Sequence, residues 1–282
     1  MELTKLSDIR PLMERYGFSF SKALGQNFLI SREIPVRIAE SAALTKDSLA
    51  LEIGPGVGCL TRELALRAGA VRAVELDQRL LPLLGETLEA FDNVTVIHGD
   101  AMKVDFAALC EGYADVVVCA NLPYYITTPI LMRLLENRLP VRSVTVMVQK
   151  EVAARLCASA GTPEYGAITA SVQYYTQPRT LFGVPSGCFY PAPKVDSAVI
   201  RLSPVPPRLS PEEERVFFRL VRSGFSQRRK TFANAASSEF GMTRAEFAQL
   251  LTAEGFSADM RAEKASVADF MKLAKAIKEK TT

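Results

Sequence analysis

Over the first two hundred residues, short apolar runs alternate with stretches whose apolar positions recur at helical intervals. Leu49–Ile53 is an apolar run stopped by Gly54-Pro55-Gly56, and Cys59–Ala68 after it has helical spacing. Val71–Glu75, Val94–His98, Val116–Ala120 and Ser143–Val148 repeat the strand pattern, while Gln78–Ala90 and Pro129–Asn137 read as helices. Strands joined by helix-length crossovers predict an α/β fold, a mostly parallel sheet with helices on both faces. Glu151–Ala158 and Ile168–Tyr175 are further predicted helices. Arg179–Val184 and Ser197–Leu202 add an antiparallel edge and bring the expected sheet to seven strands.

The pattern changes at SPVPPRLSP, residues 203–211, where four prolines in nine residues can continue neither a helix nor a central strand. A sheet domain over 1–204 and a small all-α domain over 205–282 are therefore expected. Three glutamates, 212–214, open the tail's first helix at the end where its dipole favours acids. Short helices broken at Gly241 and Gly255 follow.

Composition narrows the possibilities. With 48% hydrophobic residues among 282, the chain can bury one substantial core and a smaller appendage. No apolar stretch is long enough to span a bilayer, and residues 1–17 mix both charge signs without an apolar signal core, so a cytoplasmic location with no membrane partner is expected. The five cysteines (59, 110, 119, 157 and 188) never form a CxxC pair, and His98 is the sole histidine. Reduced thiols and no metal site follow. From Val205 onward there are 14 Lys and Arg against 10 Asp and Glu, whereas residues 1–204 hold 20 against 21. A basic tail suits a polyanion, although a solvated helical face accounts for four excess charges equally well.

Four features at the carboxyl ends of predicted strands carry chemistry. In LEIGPGVG (51–58), glycines let the backbone approach a ligand where the first strand turns into a helix. Their spacing is neither GxGxxG nor a P-loop. Glu75 ends the second strand, where a carboxylate can accept both hydroxyls of a ribose. Asp100 ends the third, where it can accept from an adenine amino group with Ala101 packed nearby. A ribose acid also fits NAD, but a nucleoside pocket without a phosphate cradle matches S-adenosylmethionine. Asn121-Leu122-Pro123-Tyr124 follows the fourth strand. Adenine's exocyclic amine is a poor nucleophile because its lone pair is delocalised into the ring. The Asn121 side-chain oxygen and the Leu122 carbonyl are suited to accept its hydrogens, so that nitrogen pyramidalises. Pro123 stiffens the turn and Tyr124 is placed to stack on an extruded base. Phe189, on the proline-rich loop 189–195, either sandwiches that base from the other side or anchors the loop.

KALGQNFL (22–29), LEIGPGVG, VELD (74–77), NLPY, MVQKEVAARL (147–156), FYPAPKVDSAV (189–199), FSQRRKTFANA (225–235) and MRAEKASVADF (260–270) together resemble the rRNA adenine N6,N6-dimethyltransferases. The likeness is greatest to the bacterial small-subunit, KsgA-type branch. It implies a Rossmann-like class I methyltransferase sheet and double methylation of two adjacent adenosines in the 3′-terminal hairpin of 16S rRNA. The expected partner is 16S rRNA within an immature small ribosomal subunit, and a monomer is expected because nothing in the sequence demands an oligomer. Position-matching implies S-adenosylmethionine contacts at Asn27, Leu29, Gly54, Gly56, Glu75, Asp100, Ala101 and Asn121. The target base falls to Asn121, Leu122, Pro123, Tyr124 and Phe189. Lys22 and the run Arg228, Arg229 and Lys230, expected to begin or lie on a helix, are the implied RNA contacts. Tyr125 after NLPY departs from a smaller polar residue in some relatives. The rivals are the resistance-type enzyme acting on large-subunit rRNA, a catalytically silent assembly factor, and an NAD dehydrogenase, which fails on glycine spacing.

Overall fold

The computed structural model describes residues 1–21, 25–227 and 229–280. The chain forms two compact units, Met1–Ala153 with Pro178–Pro204, and Ala154–Gln177 with Val205–Thr282.

Among the described residues nine strands run in order: β1 (Phe28–Leu29), β2 (Ser48–Ile53), β3 (Ala70–Glu75), β4 (Val94–His98), β5 (Asp115–Asn121), β6 (Val141–Gln149), β7 (Thr176–Val184), β8 (Phe189–Tyr190) and β9 (Ser197–Pro204). Seven of them make one sheet in the order β4-β3-β2-β5-β6-β9-β7. Strands β2 to β6 pair in parallel, and β9 runs antiparallel to β6 with Gln149 opposite Ser197. Every residue of β2 is buried, which is why it reads as a near-continuous apolar run: a central parallel strand is covered on both faces. Strand order reverses between β2 and β5. Beyond the carboxyl ends of these two strands lies the crevice in which open α/β sheets bind ligands. Gly54 follows one of those ends and Asn121 closes the other.

The helix expected over 78–90 starts later. A 3-10 turn spans Gln78–Leu80 and the helix proper is Leu81–Thr87. Pro82 has no N–H to bond back to Gln78, so the α-helical ladder begins around it. A two-stranded ladder, Phe28↔Tyr190 and Leu29↔Phe189, was not anticipated.

In the second unit, Pro211–Ser226 starts with a capping box in which the Ser210 side chain and Glu213 satisfy each other's end of the helix. Thr243 and Glu246 repeat the device at Arg244–Ala253. The core gathers Phe217, Phe232, Phe247 and Phe270 with Tyr165, Ala170 and Tyr174. The last three come from the segment before the proline-rich linker. The single boundary expected at 204/205 is thus replaced by three crossings. Residues 154–177 belong with the tail because their apolar side chains find their cover there, and backbone bonds reinforce the grouping: Gly161 N to Glu263 O at 2.7 Å and Val205 N to Tyr175 O at 2.9 Å. Among the described residues, no helix is long and apolar enough to cross a membrane.

Candidate active site

The carboxyl ends of β2, β3, β4 and β5 surround one cavity of about 1050 Å³, open solvent at its mouth included. Its wall contains Asn27, Leu29, Gly54, Gly56, Glu75, Asp100 and Ala101, and it continues through Asn121, Leu122, Pro123 and Tyr124. Residues proposed separately from five sequence segments are thus brought to one surface, four of the segments by the strand order.

The glycine turn is shaped by backbone geometry. Gly54, Gly56 and Gly58 have φ of 71°, 59° and 91°, values that L side chains adopt only with strain. At Gly56 a Cβ would also stand 3.2 Å from the Phe28 ring. The Gly56 N–H points to Glu75 Oε2 at 3.3 Å, and Asp77 N donates to Glu75 Oε1 at 2.8 Å. Burial pushes the Glu75 carboxyl up from its usual range, and these backbone donors partly offset it. Asp77 in turn is gripped by Arg79, whose hydrogen bonds hold its pKa down to about 2, and by Gln26 Nε2 at 2.8 Å. Ser21 N donates to Gln26 Oε1, so the segment before β1 is tied to the rim of the cavity through Asp77. Asp100 Oδ1 accepts from Met102 N at 2.8 Å, while Lys103 Nζ stands 3.9 Å from its other oxygen.

At the β5 end, Asn121 Nδ2 reaches Asn27 O at 3.4 Å, and Asn27 Nδ2 donates to Gly25 O. Leu122 N donates to Met147 O of β6, Ile126 N donates to Pro123 O at 3.2 Å, and Thr127 Oγ1 donates to the same carbonyl at 3.0 Å. The turn is therefore fixed on both sides. The Tyr124 hydroxyl shares a 2.6 Å hydrogen bond with Ser197 Oγ, and burial pushes its phenol pKa up.

Phe189 is placed differently. It is 2% exposed, packs with Leu29, Ile34, Ile38 and Val199, and is absent from the cavity wall. This packing is that of the loop anchor, one of the two sequence readings of Phe189. Its place in the β1–β8 ladder opposite Leu29 turns the ring into the core. Arg229 and Lys230 are exposed, but they occupy the turn between Pro211–Ser226 and Phe232–Ala236 and not a helix. Thr231 caps the second of these helices, with its side chain accepting from Asn234 N, so the cations precede the cap. Lys22 and Arg228 lie outside the described residues.

One acid of the wall escaped the sequence reading. Glu52 is 1% exposed, with Oε2 lacking any hydrogen-bond partner among the described residues. Burial lifts its pKa to about 8; the Thr61 hydroxyl offsets part of that rise, and the neighbouring Glu75 charge adds a smaller one. A charged letter inside the apolar strand SLALEI was the available signal. Tyr125 is 57% exposed and rests against Gly25, whose added Cβ would lie 3.4 Å from the ring.

Three carboxyl groups, Glu52, Glu75 and Asp100, line the cavity, and among the described residues no Lys or Arg does. With Glu52 held protonated at neutral pH, the other two acids and the absence of any Lys or Arg among the described wall residues make the cavity a poor place for a pyrophosphate and a suitable one for a nucleoside carrying positive charge. Among the described residues no cluster of His, Cys, Asp or Glu has the geometry to hold a metal ion.

Comparison with known proteins agrees with this geometry. A family model described as ribosomal RNA adenine dimethylase matches residues 17–279. A Geobacillus thermodenitrificans protein named ribosomal RNA small subunit methyltransferase A is 48% identical over 276 residues, covering 95% of this chain and 94% of the relative. A Bacillus mycoides protein of the same name matches to the same extent. Among solved structures, a dimethyladenosine transferase from Plasmodium falciparum superposes with a TM-score of 0.78 at 26% identity, over 90% of this chain and 98% of that one. The 23S rRNA methyltransferase ErmE does so with 0.69 at 26% identity, over 89% of this chain and all of that one. From residue 17 almost to its end, then, the chain belongs to the ribosomal RNA adenine dimethylase family.

Proposed function

We propose that the cavity at the β2–β5 crevice holds S-adenosylmethionine and that the turn Asn121–Tyr124 presents an adenine base to it. The chain is an rRNA adenine dimethyltransferase of the small-subunit type, and it converts adenosines of 16S rRNA to their N6,N6-dimethyl form. The observation that carries the site assignment is an acid-bearing wall, without Lys or Arg among the described residues, that ends in an acceptor-rich aromatic turn. The donor set suits the cofactor. Glu75 retains lone pairs for two ribose hydroxyls beyond those used by Asp77 N and Gly56 N, and Asp100 Oδ2 is free of backbone donors for an adenine amine. When bound, the cofactor supplies a methyl group activated by a sulfonium.

The protein's own work is to make N6 of the target adenine nucleophilic. Asn121 Oδ1 and the Leu122 carbonyl accept no hydrogen bond among the described residues, so both can receive the two N6 hydrogens. That pulls nitrogen toward pyramidal geometry and frees its lone pair. Tyr124 stacks on the base and holds its plane. No general base is required, because the methylated amine is cationic at the moment of transfer and sheds its proton readily. The Asn121 amide, bonded through Nδ2 to the Asn27 carbonyl, keeps its acceptor oxygen aimed. Placing the target base here means extruding it from its neighbours, an unstacking cost of a few kcal/mol that is smallest in unpaired RNA.

The substrate is proposed to be two adjacent adenosines of the 3′-terminal hairpin within an immature small subunit, met by a monomer. Arg229 and Lys230, both exposed, are proposed phosphate contacts that add affinity without base specificity. The test is methylation of small-subunit particles and of naked rRNA with labelled S-adenosylmethionine, with mass spectrometry of both rRNAs from a strain lacking the gene. Loss of dimethyladenosine from 16S rRNA alone is expected. Unchanged 16S rRNA, with loss from 23S rRNA instead, would make the chain a large-subunit enzyme.

A further inference from the structure

We propose that Ser197 is a positioning residue for the reaction: its hydroxyl fixes the Tyr124 ring, and through the ring the plane of the target base. This rests on the reading that Tyr124 stacks on that base.

The geometry is a two-point mount. The near end of Tyr124 is set by the turn after β5, where Pro123 O accepts from both Ile126 N and Thr127 Oγ1. The far end is set by the 2.6 Å hydrogen bond between the phenol oxygen and Ser197 Oγ, a contact between residues 73 apart in the chain. A ring held at both ends cannot turn about χ1 without breaking that bond. Between those two points Tyr124 lines the cavity.

Ser197 is suited to be the fixed partner. It is fully buried and opens β9, where it pairs with Gln149 of β6. On its other side Asp196 is held twice, its carbonyl accepting from Lys150 N at 3.0 Å and its carboxylate from Ser186 N at 3.0 Å. The hydroxyl therefore projects from a frame locked before and after it. A serine carries a short side chain with one torsion to Oγ, so the frame's rigidity passes directly to the bond. The paired phenol remains neutral as burial raises its pKa. A stacking partner is useful to transfer only when its plane is set before the base arrives, since small misplacements at a reacting centre cost rate steeply.

A merely structural role, satisfying a buried hydroxyl, predicts lost stability and no selective loss of turnover. The experiment uses the full chain with small-subunit particles and compares Ser197→Ala, Tyr124→Phe, the double variant and Tyr124→Ala. Turnover at saturating substrates, S-adenosylmethionine affinity by calorimetry and thermal melting are read for each. Ser197→Ala and Tyr124→Phe are each expected to lower kcat about tenfold, the scale of one hydrogen bond, with cofactor affinity unchanged. The double variant should be no slower than the worse single one, because both substitutions remove the same bond. Tyr124→Ala should lose about a hundredfold through lost stacking.

Losses that multiply in the double variant would overturn the inference. So would a Ser197→Ala defect that disappears below its melting transition, or full activity in both single variants with Tyr124→Ala impaired. Full activity in Tyr124→Ala would instead sink the stacking reading itself. Should Ser197→Ala fail to fold, Tyr124→Phe removes the bond from its other end, and wild-type turnover there would refute the proposal.

Discussion

Glu52→Gln separates the charge of a buried side chain from its shape. In the folded chain the carboxyl titrates at about 8, against an ordinary value of 4.5 when unfolded, chiefly because burial penalises its charged form. Between those two values the folded state holds a proton that the unfolded state has released. Stability from this group is fully present below about pH 4.5 and is lost as pH rises through about 8. A shift of this size, at 1.36 kcal/mol per unit, corresponds to a loss of up to about 5 kcal/mol across that window. Glutamine does not titrate, so the variant lacks this slope. Packing changes add a constant offset that does not vary with pH. The assay is urea unfolding of both proteins at several pH values from 5 to 9, with the free-energy difference plotted against pH. It should move by several kcal/mol in favour of the variant and level off near pH 8 to 9. A difference that stays flat across the range would refute the claim that Glu52 is protonated in the folded chain at neutral pH. Carboxyl carbon shifts in an NMR titration give a direct check on the same point.

Asn121→Ala removes one of the two acceptors for the target amine. Methylation is expected to fall below detection while calorimetric S-adenosylmethionine binding largely survives; full activity would refute the role given to this side chain. Replacing Arg229 and Lys230 together with Ala should weaken particle binding with little effect on turnover at saturation, and should reduce the salt slope of log affinity by about one to two. An unchanged slope would remove both from the RNA interface. In the helical unit, a Cβ at Gly224 would stand 2.7 Å from the Phe232 ring and 2.9 Å from Ala262 Cβ. Gly224→Ala should therefore destabilise that unit by about 1–3 kcal/mol in thermal or urea melts, the usual cost of overpacking.

Much of the first unit was legible because its central strands are covered on both faces and so are written as apolar runs, each ending at a glycine, an acid or the asparagine of NLPY. That punctuation marked the carboxyl ends, where the ligand crevice of an open sheet must lie, and the cavity wall holds the residues read from it. The β1–β8 ladder was not legible, since two residues per strand leave no period to detect and Phe28 meets Tyr190 only in space. Phe189 misled for a related reason: an aromatic beside prolines signals both a stacking platform and a loop anchor, and only its pairing with Leu29 decides. Glu52 was not legible as a site residue, because a single acid inside an apolar strand belongs to no motif and its place on the cavity wall follows only from the folded sheet. Residues 154–177 carry ordinary amphipathic helices. Nothing local in them tells whether their apolar side chains will be covered by the sheet unit or by Phe217 and Phe270.

The assignment of residues 154–177 to the helical unit also has a consequence during synthesis. Tyr165, Ala170 and Tyr174 leave the ribosome well before Phe217 and Phe232, and about a hundred residues before Phe270, which completes their core; at roughly 5–20 residues per second they wait several seconds or more for it. The sheet unit faces a shorter delay, since its final strand, β9, ends at Pro204. The nascent protein therefore passes through an interval in which its catalytic half has all its strands while an aromatic segment drawn from its middle stays uncovered. A translational pause or a truncation beyond residue 204 would prolong that exposure. Such chains are expected to be chaperone clients even though every strand of the methyltransferase sheet has already been made.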